Sequence, residues 1–208
     1  MRRIAARLAA MAVVGFARAL TGVLPVWRGC LPATRQRVYF ANHASHGDFV
    51  LVWTVLPAAV RQRTRPVAAR DYWGSGLRRF IAREVFDAVL VDRRPTETGG
   101  DAVTILAAAL HEGASLILFP EGTRNCTGEL LPFRSGLHRL AQRRPDVEFV
   151  PVWIDNVSRV MPKGEILPVP LLCGVTFGAP LNIEAGEDKQ IFLERARGAL
   201  LALKPAER

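Results

Sequence analysis

The chain has 208 residues, of which half are hydrophobic, and its net charge is +9. A chain of this length suits one domain, and the hydrophobic share is enough to fill a core, which excludes global disorder. The basic balance restricts the partners to anionic ones: nucleic acid, an anionic membrane surface or an anionic substrate.

The first part of the chain is both basic and apolar. Seven arginines and no acidic residue lie between Met1 and Gly47, and they are interleaved with Ala, Leu, Val and Met. This interleaving favours a membrane surface over nucleic acid, because the charges do not cluster in a polar patch. Residues 8–27 predict a helix that Pro25 ends or bends.

Three interpretations fit this N-terminal helix. A signal peptide would use residues 8–16 as its apolar core. A membrane-spanning helix needs about 20 residues, but Arg18 would lie near the bilayer centre at a cost of about 2.5–3.5 kcal/mol. We expect the third, an amphipathic helix in the interface, with arginines at lipid phosphate and apolar side chains in the acyl region, namely Leu8, Met11, Val14 and Phe16. A spanning helix remains the alternative.

After this helix, short β-type runs alternate with helical runs. Strands are predicted at 37–41, 87–92, 115–120, 147–154 and 173–180. Helices are predicted at 49–57, 75–85, 100–113, 135–145 and 188–204. The alternation predicts an α/β fold, with a layered sheet flanked by helices. The expected organisation is a membrane-associated helical segment, 1–28, followed by one domain, 29–208.

Polar motifs follow three of the predicted strands. They occupy residues 42–48, 92–94 and 121–125. In α/β folds the loops after the strands bind ligands, because a rigid sheet aims them at a common crevice. We therefore expect the chemistry of the protein in these loops.

The first motif, N-H-A-S-H-G-D at 42–48, allows several readings. His43, His46 and Asp48 could ligate a metal, but the remaining histidines, His111 and His138, lie in predicted helices and not in motif loops. A Ser45 nucleophile lacks the flanking glycines of an elbow. An isolated loop of this composition is most often a turn. In the remaining reading His43 is a general base oriented by Asp48, and these residues alone do not decide between the four.

The second motif, F-P-E-G-T-R at 119–124, suits a phosphate. Gly122 lets the backbone approach a ligand, Thr123 offers a hydroxyl and Arg124 offers a planar fork of donors. Alone, this motif could equally be an ordinary turn with a solvated arginine.

As an ordered pair, the motifs at 42–48 and 119–124 resemble the glycerolphosphate/lysophosphatidate acyltransferase superfamily. VLVDRR (89–94), GELLPFRSGLHRLA (128–141) and VPVWI (150–154) are similar to further blocks of that family, in the same order. The resemblance runs from about Val38 to Pro180. The first and third blocks are specific as a pair, while the second and fourth are loose.

The resemblance implies a role for each matching residue. His43 would take the proton from an acceptor hydroxyl, and Asp48 would orient His43. The acceptor's phosphate would be held by Arg93, Glu121, Gly122, Thr123 and Arg124. Pro151 would shape the acyl-binding side, and the loop would be supported by Asn42 and Ser45. The family uses no metal and no organic cofactor.

The implied reaction is acyl transfer from a thioester, on coenzyme A or acyl carrier protein, to a lysophospholipid in phospholipid biosynthesis. The expected acceptor is 1-acyl-glycerol 3-phosphate, giving phosphatidate; another lysolipid such as lyso-ornithine lipid is the alternative, and a lipid or thioester hydrolase is a more distant one. Such an enzyme would lie on the cytoplasmic face of a bacterial inner membrane, with no nucleic acid partner.

Two stretches leave questions about the acceptor and the lipid. Where the family often carries a Lys-x-Glu-like pair, this chain has Arg70 and Asp71, which puts the choice of acceptor in doubt. Residues 156–172 form a long, proline-rich connection, either a lid, a membrane-facing loop or a plain surface loop.

Overall fold

The computed structural model describes residues 2–45, 47–92, 101–125, 129–155 and 173–205. Within these ranges seven strands form one sheet: β1 Leu24–Trp27, β2 Arg37–Ala41, β3 Thr64–Ala69, β4 Val89–Val91, β5 Ser115–Leu118, β6 Glu148–Asp155 and β7 Gly174–Phe177. Their order is β1-β7-β6-β2-β5-β3-β4. Neighbouring strands are parallel except for β6 and β7, which are antiparallel.

Helices occupy the connections between most of these strands. They are α1 Arg2–Thr21, α2 Asp48–Val55, α3 Ala58–Arg61, α4 Arg70–Trp73, α5 Gly76–Phe80 with a π-helical continuation over Ile81–Val85, α6 Ala102–His111, α7 Gly136–Arg143 and α8 Lys189–Leu201. All five strands and five helices predicted after the first segment are present. The loop 156–172, considered above as a lid, lies outside the described residues.

The sheet is covered on both faces, which explains its near-continuous apolar strands. Strand β2 is buried along its whole length, and its side chains alternate between two cores. Val38 and Phe40 pack with apolar residues of α6, α7 and α8. Tyr39 and Ala41 pack with the buried side chains of α2, and α1 adds partly buried residues to that core. The α/β fold class, a layered sheet flanked by helices, is confirmed.

The first segment ends differently from the prediction. Helix α1 ends at Thr21, because Gly22 takes a φ of +52° and donates its N–H to the Arg18 carbonyl at 2.8 Å. Pro25 lies in edge strand β1, which pairs with β7. The prediction that Pro25 ends or bends the helix is therefore wrong. A boundary between domains at residue 28 remains a prediction, and β1 on its N-terminal side belongs to the sheet.

Helix α1 is apolar on both of its faces. One face packs on the core shared with α2, through Ala10, Val13, Val14 and Leu20, so the expectation that Val14 lies in the acyl region is wrong. The opposite face exposes Leu8, Met11 and Phe16 to 57%, 63% and 68%. No helix within the described ranges combines the length and apolarity needed to cross a bilayer.

Candidate active site

Two loops at the carboxyl ends of adjacent parallel strands form the site. The loop of residues 42–48 follows β2, and the loop of residues 119–125 follows β5, its neighbour in the sheet. The sheet therefore brings together two motifs that lie far apart in the sequence. His46, considered above as a metal ligand, lies outside the described residues.

His43 and Asp48 form a hydrogen-bonded pair. His43 Nδ1 lies 2.8 Å from Asp48 Oδ2, and the same oxygen accepts the backbone N–H groups of Ala44 at 2.7 Å and Ser45 at 2.9 Å. Asp48 is 1% exposed, and it begins helix α2, whose N-terminal dipole favours a carboxylate. Since the carboxylate can only accept, the proton lies on Nδ1 and leaves Nε2 able to accept a second proton.

The face of the His43 ring is also fixed. The Phe119 ring stacks on it, with centroids 4.1 Å apart and planes at 15°. Phe119 is the first residue of the second motif, yet the sequence interpretation gave it no role. Together, Asp48 and Phe119 leave the imidazole little freedom to rotate.

Glu121 joins the two loops from inside. Its Oε1 accepts the backbone N–H of His43 at 2.8 Å, and its Oε2 accepts that of Leu131 at 3.1 Å. The side chain is 3% exposed, and burial raises its pKa, while the N–H groups of His43 and Leu131 oppose that rise. Asn125 adds a second link between the loops, because its N–H donates to the His43 carbonyl at 2.7 Å. A buried carboxylate with both oxygens turned to backbone donors positions His43 rather than contacting a phosphate.

The three residues expected to support the site lie outside its cleft. The Asn42 amide exchanges two hydrogen bonds with the backbone of Ile154 in β6, at 2.9 Å and 2.7 Å, and so ties the first loop to the sheet. The Ser45 hydroxyl accepts the Gly47 N–H at 3.2 Å within the turn. Pro151 is buried in β6 beside β2.

A cleft of about 560 Å³ opens beside His43. Its polar lining includes His43, Gly122, Thr123 and Arg134. The rest of its lining is largely apolar and includes Val67, Trp73, Leu106 and Leu118. A lining that combines polar and apolar residues is suited to a ligand that has a charged head and a hydrocarbon chain.

The arginines predicted to bind phosphate are placed differently from one another. Arg124 and Arg134 are both exposed, but Arg124 does not line this cleft. Arg93 lies outside the described residues. Arg134, which the sequence interpretation left without a role, does line the cleft, and the only sequence signal for it was the similarity of residues 128–141 to a family block. Arg70, in the segment that departs from the family, pairs with Asp92 at 3.2 Å.

A second cavity of about 420 Å³ lies between α1 and α2. Apolar side chains of both helices line it, together with Ser45 and Gly47 of the first loop. Within the described ranges, no three His, Cys, Asp or Glu side chains are grouped so that they could hold a metal ion.

Known proteins share both the sequence pattern and the fold. A family model described as Acyltransferase matches residues 28–155, more than half of the chain. The 1-acyl-sn-glycerol-3-phosphate acyltransferase alpha of Mus musculus is 29% identical over 199 residues, covering 90% of this chain and 66% of its own length. The Homo sapiens protein of the same name is 29% identical over 83% of this chain and 60% of its own length. The chain thus spans somewhat less than two thirds of these relatives.

A solved structure extends the likeness to the fold. The crystal structure of the 1-acyl-sn-glycerophosphate (LPA) acyltransferase PlsC from Thermotoga maritima superposes with a TM-score of 0.70. The match covers all of this chain and 85% of that one, at 21% sequence identity.

Proposed function

Because the chain belongs to the Acyltransferase family, we propose that it transfers an acyl chain from a thioester to the free hydroxyl of a lysophospholipid. The acceptor is 1-acyl-glycerol 3-phosphate and the product is phosphatidate. The observation that carries this proposal is the His43–Asp48 pair, with the His43 side chain on the wall of a cleft that combines polar and apolar surface. The acceptor named for the mouse and human relatives supports the choice of lysophosphatidate.

In the reaction, His43 acts as the general base. Its Nε2 takes the proton from the acceptor hydroxyl while the hydroxyl oxygen attacks the thioester carbonyl. The C–O bond forms, the tetrahedral intermediate collapses, and the C–S bond breaks. The departing sulfur takes the proton back from His43, so the base is restored. Asp48 stabilises the imidazolium that exists between these two steps.

The second loop serves the acceptor. Gly122 and Thr123 line the cleft, where a backbone N–H and a hydroxyl can meet phosphate oxygens. Arg93 and Arg124 remain proposed phosphate ligands on the strength of the family resemblance. Glu121 acts through His43 and not on the substrate, because its carboxylate holds the His43 backbone against this loop. Pro151 keeps its proposed role on the acyl-binding side, which it would fill by packing in strand β6 beside β2.

The proposal includes a membrane surface and an acyl donor that arrives from the cytoplasm. The exposed apolar face of α1 would enter the acyl region of one leaflet of the bacterial inner membrane. The net charge of +9 would attract both the anionic bilayer and an anionic donor, acyl-CoA or acyl carrier protein. In this arrangement residues 1–28 are the proposed membrane-associated segment, although their strand β1 also pairs with β7 in the sheet, and residues 29–208 are the proposed catalytic domain.

The test follows thiol release from acyl-CoA by the purified full chain in detergent micelles, with and without lysophosphatidate. We expect release that requires the acceptor and that falls to background in His43→Ala. His138→Ala is the matched control, because His138 is a buried histidine of α7 outside both loops. Release without acceptor would indicate a thioesterase and would overturn the proposal. A parallel assay with acyl carrier protein as donor and with lyso-ornithine lipid as acceptor identifies the preferred pair.

A further inference from the structure

Arg134 is a charged residue that lines the cleft beside His43. It follows the buried Phe133 and precedes helix α7, and its side chain lines the same cleft as His43. Gly136 and Leu137, in the first turn of α7, line the cleft beside it. The partial positive charge of a helix N-terminus adds to that of the guanidinium at this end of the cleft.

The second motif holds Arg134 in place through two hydrogen bonds. Its backbone N–H donates to the Pro120 carbonyl at 2.9 Å, and its Nε donates to the Glu121 carbonyl at 3.2 Å. The Glu121 carboxylate in turn accepts the His43 N–H. Glu121 therefore holds both the His43 backbone, through its carboxylate, and the Arg134 guanidinium, through its carbonyl.

Gly122 makes room for this arginine. A Cβ at position 122 would lie 2.3 Å from Arg134 Nε and 2.5 Å from its Cδ. The φ of Gly122 is +69°, which L side chains rarely adopt. The glycine of the second motif thus gives space to the Arg134 side chain as well as to a ligand.

No ion pair joins Arg134 to an acidic side chain within the described ranges; several other arginines there share this feature, but Arg134 is the arginine that lines the cleft. By contrast, Arg37 pairs with Glu148, Arg139 with Asp101, Arg144 with Asp146 and Arg195 with Glu187. With Nε occupied by a carbonyl, the two terminal nitrogens keep the fork geometry that fits two oxygens of a phosphate.

From this arrangement we infer that Arg134 binds the phosphomonoester of the acceptor and selects phosphorylated lysolipids over neutral ones. The inference rests on the proposed function and deepens it. The oxygens of a phosphate could also come from the coenzyme A part of the donor. We assign Arg134 to the acceptor because it is fixed to the same residue as the base, and the base must meet the acceptor's hydroxyl.

The experiment compares wild type, Arg134→Gln and Arg134→Lys in the thiol-release assay, with each substrate varied in turn. Arg134→Gln should raise the KM for lysophosphatidate about 10- to 150-fold, the ratio expected for loss of a charge-assisted hydrogen bond. The KM of Arg134→Lys for lysophosphatidate should lie between those of wild type and Arg134→Gln. The KM for acyl-CoA should stay within about twofold in both variants, because the donor makes no contact with this side chain. Arg143→Gln is the control for removing one exposed positive charge; Arg143 contacts Thr104 and does not line the cleft, so this variant should match wild type.

Two further arms separate the sources of phosphate. Replacing lysophosphatidate by a monoacylglycerol should remove the difference in acceptor KM between wild type and Arg134→Gln. Replacing the donor by its dephospho-coenzyme A thioester should leave that difference intact. A rise in the donor KM, or a difference that disappears with the dephospho donor, would overturn the assignment to the acceptor.

A binding measurement makes the inference independent of turnover. Calorimetric titration with sn-glycerol 3-phosphate should give a weaker affinity for Arg134→Gln than for wild type, and Gly122→Ala, which keeps the arginine but crowds it, should be weakened as well. Equal affinities in wild type and Arg134→Gln would overturn the inference. Binding that depends on Arg134 in a protein without acceptor-dependent thiol release would leave the inference standing while the proposed function fails. Circular dichroism confirms that each variant is folded, and Arg134→Lys serves if the glutamine variant is not.

Discussion

Replacing Asp48 by Asn separates the charge of this residue from its shape. An amide oxygen at the position of Oδ2 can still accept the N–H groups of His43, Ala44 and Ser45, which lie between 2.7 Å and 2.9 Å from it. The negative charge that stabilises the imidazolium is lost. We expect kcat to fall about 10²- to 10⁴-fold, with both KM values nearly unchanged because Asp48 does not line the cleft.

The folded state should survive this substitution at a modest cost. Asp48 Oδ1 is buried without a hydrogen-bond partner among the described residues, so an amide NH2 placed there would also lack one. Such an unsatisfied donor lowers the free energy of unfolding by about 1–3 kcal/mol, which urea denaturation can measure. Asp146→Asn removes an exposed carboxylate that pairs with Arg144, and it should leave kcat unchanged.

A double-mutant cycle with His43→Gln gives the sharper result. Because Asp48 acts through His43, the double variant should have the same residual activity as His43→Gln alone. Losses that multiply in the double variant would refute the reasoning, since they would mean that Asp48 contributes by a route independent of the imidazole. Retention of more than about half of wild-type kcat in Asp48→Asn would refute it as well.

Three other predictions concern the surroundings of this pair and the exposed face of α1. Phe119→Leu should lower kcat about 2- to 10-fold, the worth of one aromatic stack, while Phe119→Tyr should restore it; an unchanged kcat in the leucine variant would exclude a role for the stack. Burial raises the pKa of Glu121 above its ordinary 4.5, so its contribution to stability is largest below pH 4.5 and is lost as the pH rises through the raised pKa. The free energy of unfolding of wild type relative to Glu121→Gln should therefore fall as the pH rises from 4.5 through the raised pKa. Parallel pH profiles of the two proteins in urea denaturation would contradict this. Met11→Asp with Phe16→Asp should reduce sedimentation with anionic vesicles at least about tenfold, whereas Ile191→Asp, an equally exposed apolar position on α8, should not; equal losses would show that α1 is not the docking face.

The sequence predicted elements where local signals agreed with the tertiary structure. The strand over Arg37–Ala41 is apolar throughout apart from its first residue and is buried throughout, and helix α6 has a capping Asp101 and a closing Gly113. Strand β3 was missed, because Pro66 and two alanines weaken its β propensity. Pro66 is in register with Ile117 of β5, and β4 pairs with β3 only from Val67 onward, so the proline lies outside the β3–β4 ladder.

The sequence indicated which residues form the site, but not how their side chains are oriented. The order of motifs indicated that His43, Asp48 and the second loop belong together, which the adjacency of β2 and β5 explains. Local sequence could not show that the Glu121 carboxylate turns inward, because that depends on N–H groups of His43 and Leu131 contributed by other segments. Nor could it show that Arg134 rather than Arg124 lines the cleft, since each is the one arginine of a loop-forming stretch that also carries a glutamate, Glu129 and Glu121 respectively.

The most direct measurement follows a labelled acyl chain from acyl-CoA into lipid. Wild type, incubated with lysophosphatidate in micelles, should place the label on the free hydroxyl of the acceptor and yield phosphatidate in a one-to-one ratio with released thiol, and His43→Gln should yield neither. Labelled free fatty acid in place of phosphatidate, or phosphatidate formed at an undiminished rate by His43→Gln, would contradict acyl transfer by a His43 base.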